Sequence, residues 1–230
     1  RLTFKMPAND VTAKAIYEDG VYSIFITGGT VENTKHKAGE LVLVQVDEAQ
    51  FPEGQTFKEW KTAPELDMQP TDGGYTFTMP GESVTIEAVY QNRFYDLTVD
   101  GKTESREYGS LVNVTAPEKE GYTFADWTVK GAQVDNPYNQ TLLFRMPAGD
   151  VTLTPNYTAN KYSLTVDDTM EFKDYGEPVT VTAAEKEGYT FTDWAVDGVT
   201  VADKTSKTVA FTMPAGDVTL TANYAINHYT

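Results

Sequence analysis

Cysteine is absent from the 230 residues, and with it go disulfides, thiolate nucleophiles and cysteine-based zinc sites. Small secreted eukaryotic domains often lean on disulfides, so a multi-unit extracellular chain without them points to a bacterial source. Histidine is nearly absent: His36 and His228 stand far apart, which argues against a histidine zinc site or a histidine-activated nucleophile. Positive charge is scarce, with 18 Lys and Arg against 34 Asp and Glu and a net charge of −16. Such a surface repels phosphate backbones and anionic lipid, so nucleic acid is not an expected partner. No apolar run approaches the ~18–20 residues that cross a bilayer, so no membrane insertion is expected within these residues. Helical spacing is missing as well: no stretch of eleven residues places apolar side chains at i, i+3, i+4 and i+7. There is no signal peptide, and Arg1 falls inside a repeat, so the chain is expected to be a piece of something longer.

What the chain has in abundance is itself. Phe211 to Tyr224 read FTMPAGDVTLTANY, and Phe144 to Tyr157 read FRMPAGDVTLTPNY. Phe77 to Tyr90 read FTMPGESVTIEAVY, and Phe4 to Tyr17 read FKMPANDVTAKAIY. Trp60, Trp127 and Trp194 stand 67 residues apart, as do Met79, Met146 and Met213. Tyr22, Tyr95, Tyr162 and Tyr229 mark the openings of the units, and the first unit carries six extra residues between Tyr22 and Trp60. Extra length in one copy is expected in loops. The organisation is therefore tandem. Residues 1–20 form the C-terminal hairpin of a preceding repeat, 21–93 repeat 1, 94–160 repeat 2 and 161–227 repeat 3, while 228–230 start a further repeat.

In repeat 2, Tyr95–Asp100, Leu111–Ala116, Tyr122–Val129, Thr141–Met146 and Val151–Tyr157 alternate apolar and polar residues or are rich in aromatic and β-branched ones. Period-two patterning of this kind predicts strands, five to a unit. The quoted segment reads as a strand–turn–strand hairpin, with Pro, Gly and Asp supplying the turn chemistry between two apolar-faced strands. A unit of about 67 residues lies near the lower limit for independent folding, and its Trp, Phe, Tyr and Met supply the apolar area that a disulfide-free unit needs. Only residues 158–161 separate Tyr157 from Tyr162, a span of at most about 14 Å, so neighbouring repeats of the chain are expected to touch.

GYTFADW (Gly121–Trp127) and GYTFTDW (Gly188–Trp194) are preceded by Tyr108–Gly109 and Tyr175–Gly176 and followed by the FxMPAGDVTLTxNY segment. This pattern resembles the internalin B-type repeats of bacteria, in the divergent branch found in Gram-positive cell-surface proteins. Repeat 1 departs from it with GQTFKEW (Gly54–Trp60) and PGESV (Pro80–Val84). The resemblance implies an all-β fold, a tandem array of small five-stranded β-grasp-like or β-sandwich-like domains. It also implies an extracellular setting at the bacterial cell surface, in a cell-wall-attached or secreted parent. There the repeats would serve as a non-enzymatic stalk or spacer for adhesion or for presenting another module. It implies no catalytic residues.

Trp60, Trp127 and Trp194 recur at one place inside a strand and read as core rather than as sugar platforms. Glu118, Glu120, Glu185 and Glu187 flank a turn lysine and read as solvated. Calcium needs several oxygens on one loop. Asp167–Asp168 and the stretch Asp135–Asn136 to Asn139 offer some, without an Asp-x-Asp-x-Asp-Gly loop, and no cofactor is expected. A Lys–Asn crosslink is not favoured, because Asn156 and Asn223 correspond to Val89 in repeat 1. A binding function belongs where the units differ. Asn136, Tyr138 and Asn139 place an aromatic among amides, a composition suited to a host glycan, and Lys35 and Lys37 form a basic spot on an acidic chain that could meet an extracellular protein.

Overall fold

A computed structural model describes residue 3, residues 5–15 and residues 20–228. Residues 1–93 form one compact unit and residues 94–230 a second. The hairpin expected over Phe4–Tyr17 has Phe4, Ile16 and Tyr17 outside the described residues, and residues 5–15 carry no strand. Of the further repeat, Tyr229 and Thr230 also lie outside them.

In the first unit the strands are β1 (Val21–Thr27), β2 (Gly29–Val31), β3 (Lys35–Lys37), β4 (Leu41–Val46), β5 (Gln55–Ala63), β6 (Gln69–Thr71), β7 (Gly74–Thr78) and β8 (Val84–Asn92). A 3-10 turn, Glu48–Gln50, precedes β5. The second unit holds repeat 2, with β9 (Phe94–Val99), β10 (Lys102–Glu107), β11 (Leu111–Thr115), β12 (Tyr122–Lys130), β13 (Thr141–Arg145) and β14 (Val151–Ala159). Repeat 3 follows it with β15 (Lys161–Val166), β16 (Thr169–Asp174), β17 (Pro178–Thr182), β18 (Tyr189–Asp197), β19 (Thr208–Thr212) and β20 (Val218–Ile226).

The all-β class expected from the alternation is what the chain adopts. Repeat 2 pairs its long strands in the order β10-β9-β14-β12, with β11-β13 as a separate two-stranded sheet. The first and last strands, β9 and β14, lie side by side and parallel through Val151↔Leu97 and Leu153↔Val99. Repeat 3 repeats this mixed, β-grasp-like order as β16-β15-β20-β18 with β17-β19. The two sheets enclose one core. In repeat 2 it is built from Leu97, Val112, Trp127, Phe144, Met146, Val151 and Leu153. Repeats 1 and 3 each enclose a separate core of the same kind, around Met79 and Met213.

Two expectations need correction. The FxMPAGD segment is not a hairpin. Strand β13 pairs with β11, while β14 pairs with β9 and β12, so the turn is a corner that carries the chain from one sheet to the other. Phe144 and Met146 on one side and Val151 and Leu153 on the other meet across the core rather than along a ladder. The corner is held by long-range bonds. Met146 exchanges backbone hydrogen bonds with the turn after β10, accepting from Gly109 N–H (2.8 Å) and donating to Ser110 O (2.9 Å). Asp150 Oδ1 accepts from the Asp96 amide at 2.9 Å, and Asp217 Oδ1 from the Ser163 amide at 2.8 Å. The corner aspartate thus clamps the opening strand of its own repeat.

The second correction is one of count. Repeats 2 and 3 have six strands rather than five, the extra ones being β10 and β16 at the sheet edge. In repeat 1 the six additional residues are shared between two places. Tyr22 to Gly39 spans 17 positions against 14 from Tyr95 to Gly109, and Gly39 to Trp60 spans 21 against 18 from Gly109 to Trp127. They are not all loop: β2 adds to the second sheet, which with β6 becomes four-stranded in the order β2-β4-β7-β6.

Candidate functional site

Repeat 2 carries a cleft of about 430 Å³. Its wall is the connection from β11 to β12 (Pro117, Glu118, Lys119), and Tyr122, Tyr138 and Tyr157 bring aromatic rings to it. The Lys119 ammonium stands 4.3 Å from the Tyr122 ring centroid and 5.6 Å from that of Tyr157, within the range of cation–π attraction. The Tyr157 hydroxyl donates to Pro117 O at 2.6 Å. Burial, and then the Asp100 carboxylate, push this phenol above its ordinary pKa. Gln140 ties the floor: its side-chain amide donates to Ala116 O (3.1 Å) and its main-chain carbonyl accepts from the Trp127 indole N–H (3.3 Å).

Tyr138 is 72 % exposed. Its amide donates to Asn136 Oδ1 (3.0 Å), and Asn136 Nδ2 donates to Asn139 Oδ1 (3.2 Å). The two asparagines therefore shape the loop as an Asx turn, and the tyrosine ring is what the loop presents. The Trp127 amide anchors the loop by donating to Pro137 O at 2.9 Å. Trp127 and Trp194 are themselves buried in their cores.

Most of the cleft recurs in repeat 3. Lys186 stands 4.4 Å from the Tyr189 ring and 5.6 Å from that of Tyr224, and the Tyr224 hydroxyl donates to Ala184 O at 2.7 Å. A lysine held between two tyrosines is thus part of the scaffold of both repeats. Repeat 2 differs at three lining positions, the first being Pro117, which is Ala184 in repeat 3. Tyr138 stands where repeat 3 has Thr205, and Gln140 where it has Lys207, which forms an ion pair with Glu185. Sequence reading singled out Tyr138 but passed over Lys119, Tyr122 and Tyr157. The sequence signal for these was the recurrence of Lys-x-x-Tyr in repeats 2 and 3, each followed by the closing tyrosine of its own repeat.

Lys35 and Lys37 belong to repeat 1, where β3 places them on either side of His36. The His36 ring lies between Glu40 Oε2 (3.0 Å) and Asn33 O (2.9 Å). A second cleft, of about 510 Å³, is lined by His36 with Val31, Glu32 and Leu41 and by neither lysine. The Lys37 amide donates to Glu40 Oε2 at 3.1 Å, and this bond first, then the His36 ring, holds the Glu40 carboxyl below its ordinary pKa.

Among the described residues no three His, Asp or Glu side chains converge as a metal site. Of the oxygens weighed for calcium, Asp167 Oδ1 accepts from the Ala222 amide at 2.8 Å. In repeat 2 the matching position is Pro155, which has no N–H to give. Asn156 and Asn223 lie across a β-bulge from Asp126 and Asp193 and donate to them at 2.6 and 2.8 Å.

Beside the cleft, repeats 2 and 3 meet. Asn160 is the one residue between β14 and β15. Its amide donates to Gly121 O (2.9 Å), its carbonyl accepts from the Tyr175 amide (2.8 Å), and its Oδ1 accepts from the Thr123 hydroxyl (2.6 Å). The Tyr175 ring lies on Gly121, where an added Cβ would come within 2.3 Å of it. The same ring meets Tyr122 edge-on, with centroids 5.4 Å apart at 80°.

Among the described residues no helix is long and apolar enough to cross a membrane. The chain is 37 % identical over 142 residues to internalin H of Listeria monocytogenes serovar 1/2a, an overlap of 56 % of this chain and 24 % of that protein. It is 25 % identical over 250 residues to a protein of Evansella cellulosilytica described as a Gly-rich membrane protein, covering 99 % of this chain and 28 % of the other. It therefore spans about a quarter of the length of each of these relatives. No solved structure matches the chain. Three successive segments, residues 25–93, 97–161 and 163–228, match the divergent InlB B-repeat domain, and the chain belongs to that family as three tandem copies.

Proposed function

We propose that these repeats act as a non-enzymatic stalk in a bacterial surface protein, cell-wall-attached or secreted, holding an adhesive or other module away from the cell. The joint between repeats 2 and 3 carries this reading. A one-residue connection, bonded through its amide and its carbonyl and capped by a tyrosine on a glycine, restricts swing, and a spacer needs that restriction. The names of the relatives, an internalin and a membrane protein, support the surface setting. Small-angle scattering of the full chain tests it. Three units of about 25–30 Å in file give a maximum dimension of roughly 80–100 Å, and a globular profile would refute the spacer.

A second reading is favoured by Tyr138. An exposed ring beside a cleft, present in one repeat and replaced by Thr205 in the next, suits contact with a host glycan or an extracellular protein. A glycan and matrix-protein panel with the full chain checks this reading. Binding that Tyr138→Ala abolishes would support it, and binding indifferent to Tyr138 would remove that ring from the site.

A further inference from the structure

The surface that receives Tyr175 on repeat 2 exists a second time, on repeat 3, and there no described residue covers it. Gly121 and Gly188 hold the same left-handed conformation, with φ of 74° and 77°. The Asn227 amide donates to Gly188 O at 2.8 Å, as the Asn160 amide does to Gly121 O. The Thr190 hydroxyl donates to Asn227 Oδ1 at 2.7 Å, as that of Thr123 does to Asn160 Oδ1. Lys186 stands over Tyr189 as Lys119 stands over Tyr122. What differs is the cover. The Cβ position of Gly121 is filled by the Tyr175 ring, whereas among the described residues nothing lies within 4 Å of that position at Gly188. Gly121 is buried, while Tyr189, the counterpart of Tyr122, is 38 % exposed.

We propose that the Gly188–Tyr189 face is a docking surface for the Tyr–Gly turn of another repeat of this kind, joined in tandem after Asn227. The chemistry of the filled joint selects this occupant. A ring can lie flat on the backbone only where the residue beneath has no side chain. The ring must also arrive on an amide placed to donate to the carbonyl of the linking asparagine. Tyr175 does this from the end of β16, and the Gly176 that follows it donates to Met213 O at 2.9 Å, fixing the turn to its own core. Asn227 offers the same carbonyl, and a repeat beginning at His228 would bring its own Tyr–Gly turn to Gly188 fifteen residues after Asn227, the spacing from Asn160 to Tyr175. Repeats 2 and 3 then each carry a platform of glycine, tyrosine and asparagine, and repeat 3 carries the tyrosine that covers the platform before it. The inference rests on the geometry of the joint and stands whether or not the protein is a surface stalk.

The test lengthens the full chain: residues 1–227 are followed by a second copy of residues 161–227. Because no cysteine is present, two introduced cysteines can carry spin labels without competition. Thr154→Cys with Thr221→Cys spans the existing joint; Thr221→Cys with the matching substitution in the added copy spans the new one. Pulsed dipolar spectroscopy should give the two joints the same mean distance and width. Replacing the added copy's tyrosine by Ala should broaden the new joint alone, and replacement by Phe should restore it. A broad distribution at the new joint while circular dichroism shows the added copy folded, or one that the Ala change leaves as it was, would overturn the proposal. So would a covered Gly188 face in the unextended chain that depends on protein concentration, since the occupant would then be a second molecule.

Discussion

At the scale of single residues, two aromatic side chains of repeat 2 have opposite meanings. Trp127 is 3 % exposed and Tyr138 72 %. Trp127→Ala should cost about 3–5 kcal/mol, through lost burial and the cavity left behind. Tyr138→Ala should change stability by no more than ~0.5 kcal/mol, as an exposed loop substitution does. Urea denaturation of the two variants checks both. The clamping acids give a second prediction. The Ser163 amide holds the Asp217 carboxyl below its ordinary pKa, and the Asp174 amide, then Lys173, does so for Glu177. A depressed folded pKa contributes stability that is complete above the unfolded value and is lost as pH falls through the folded one. The melting temperature should therefore drop on acidification below the usual carboxylate range, and Asp217→Asn should flatten that dependence. Tyr138 was legible because it falls where the repeats differ. Lys119, Tyr122 and Tyr157 were not, because only folding brings Tyr157 from a distant strand beside the local Lys119–Tyr122 pair, and their recurrence looked like scaffold, which in part it is.

At the scale of elements, alternation is visible wherever one face of a strand is buried. It made β9, β11, β12, β13 and β14 readable. Strand β10, KTESRE, lies at the sheet edge and is exposed at every residue but Arg106, so no pattern of burial is written into it. Charges on an edge strand also discourage unwanted pairing. The available signal was the Asp100–Gly101 pair. Both residues have positive φ, 47° and 77°, as a two-residue hairpin of the tightest type requires. Gly101→Ala should accordingly cost roughly 1 kcal/mol, the penalty of a side chain in the left-handed region, read as a shifted denaturation midpoint with an unchanged slope. The mispaired β13–β14 segment failed for another reason. A short turn between two apolar-faced strands fits a hairpin and a corner equally well. What decides is where the partners Leu111–Thr115 and Phe94–Val99 lie, and they are far away in sequence.

At the scale of the molecule, three separate cores predict that unfolding is not a single step. In arrays of this kind, stability is set by each repeat plus its interface with the next. Tyr175→Ala removes interface and almost no core, so it should separate the melting of repeats 2 and 3 in calorimetry. A transition that keeps its shape would mean that the joint contributes no coupling. A further consequence follows from the parallel pairing of the first and last strands. The chain enters repeat 2 at the start of β9 and leaves it at the end of β14, at opposite ends of a shared ladder. A pull along the polypeptide cannot peel that ladder open one hydrogen bond at a time; it loads the bonds between β9 and β14 together, in shear. Optical-trap extension through the two termini should therefore show high rupture forces, and pulling on β10 and β14 through introduced cysteines should show lower ones. Equal forces in the two geometries would mean that the parallel ladder is not the mechanical clamp of the repeat.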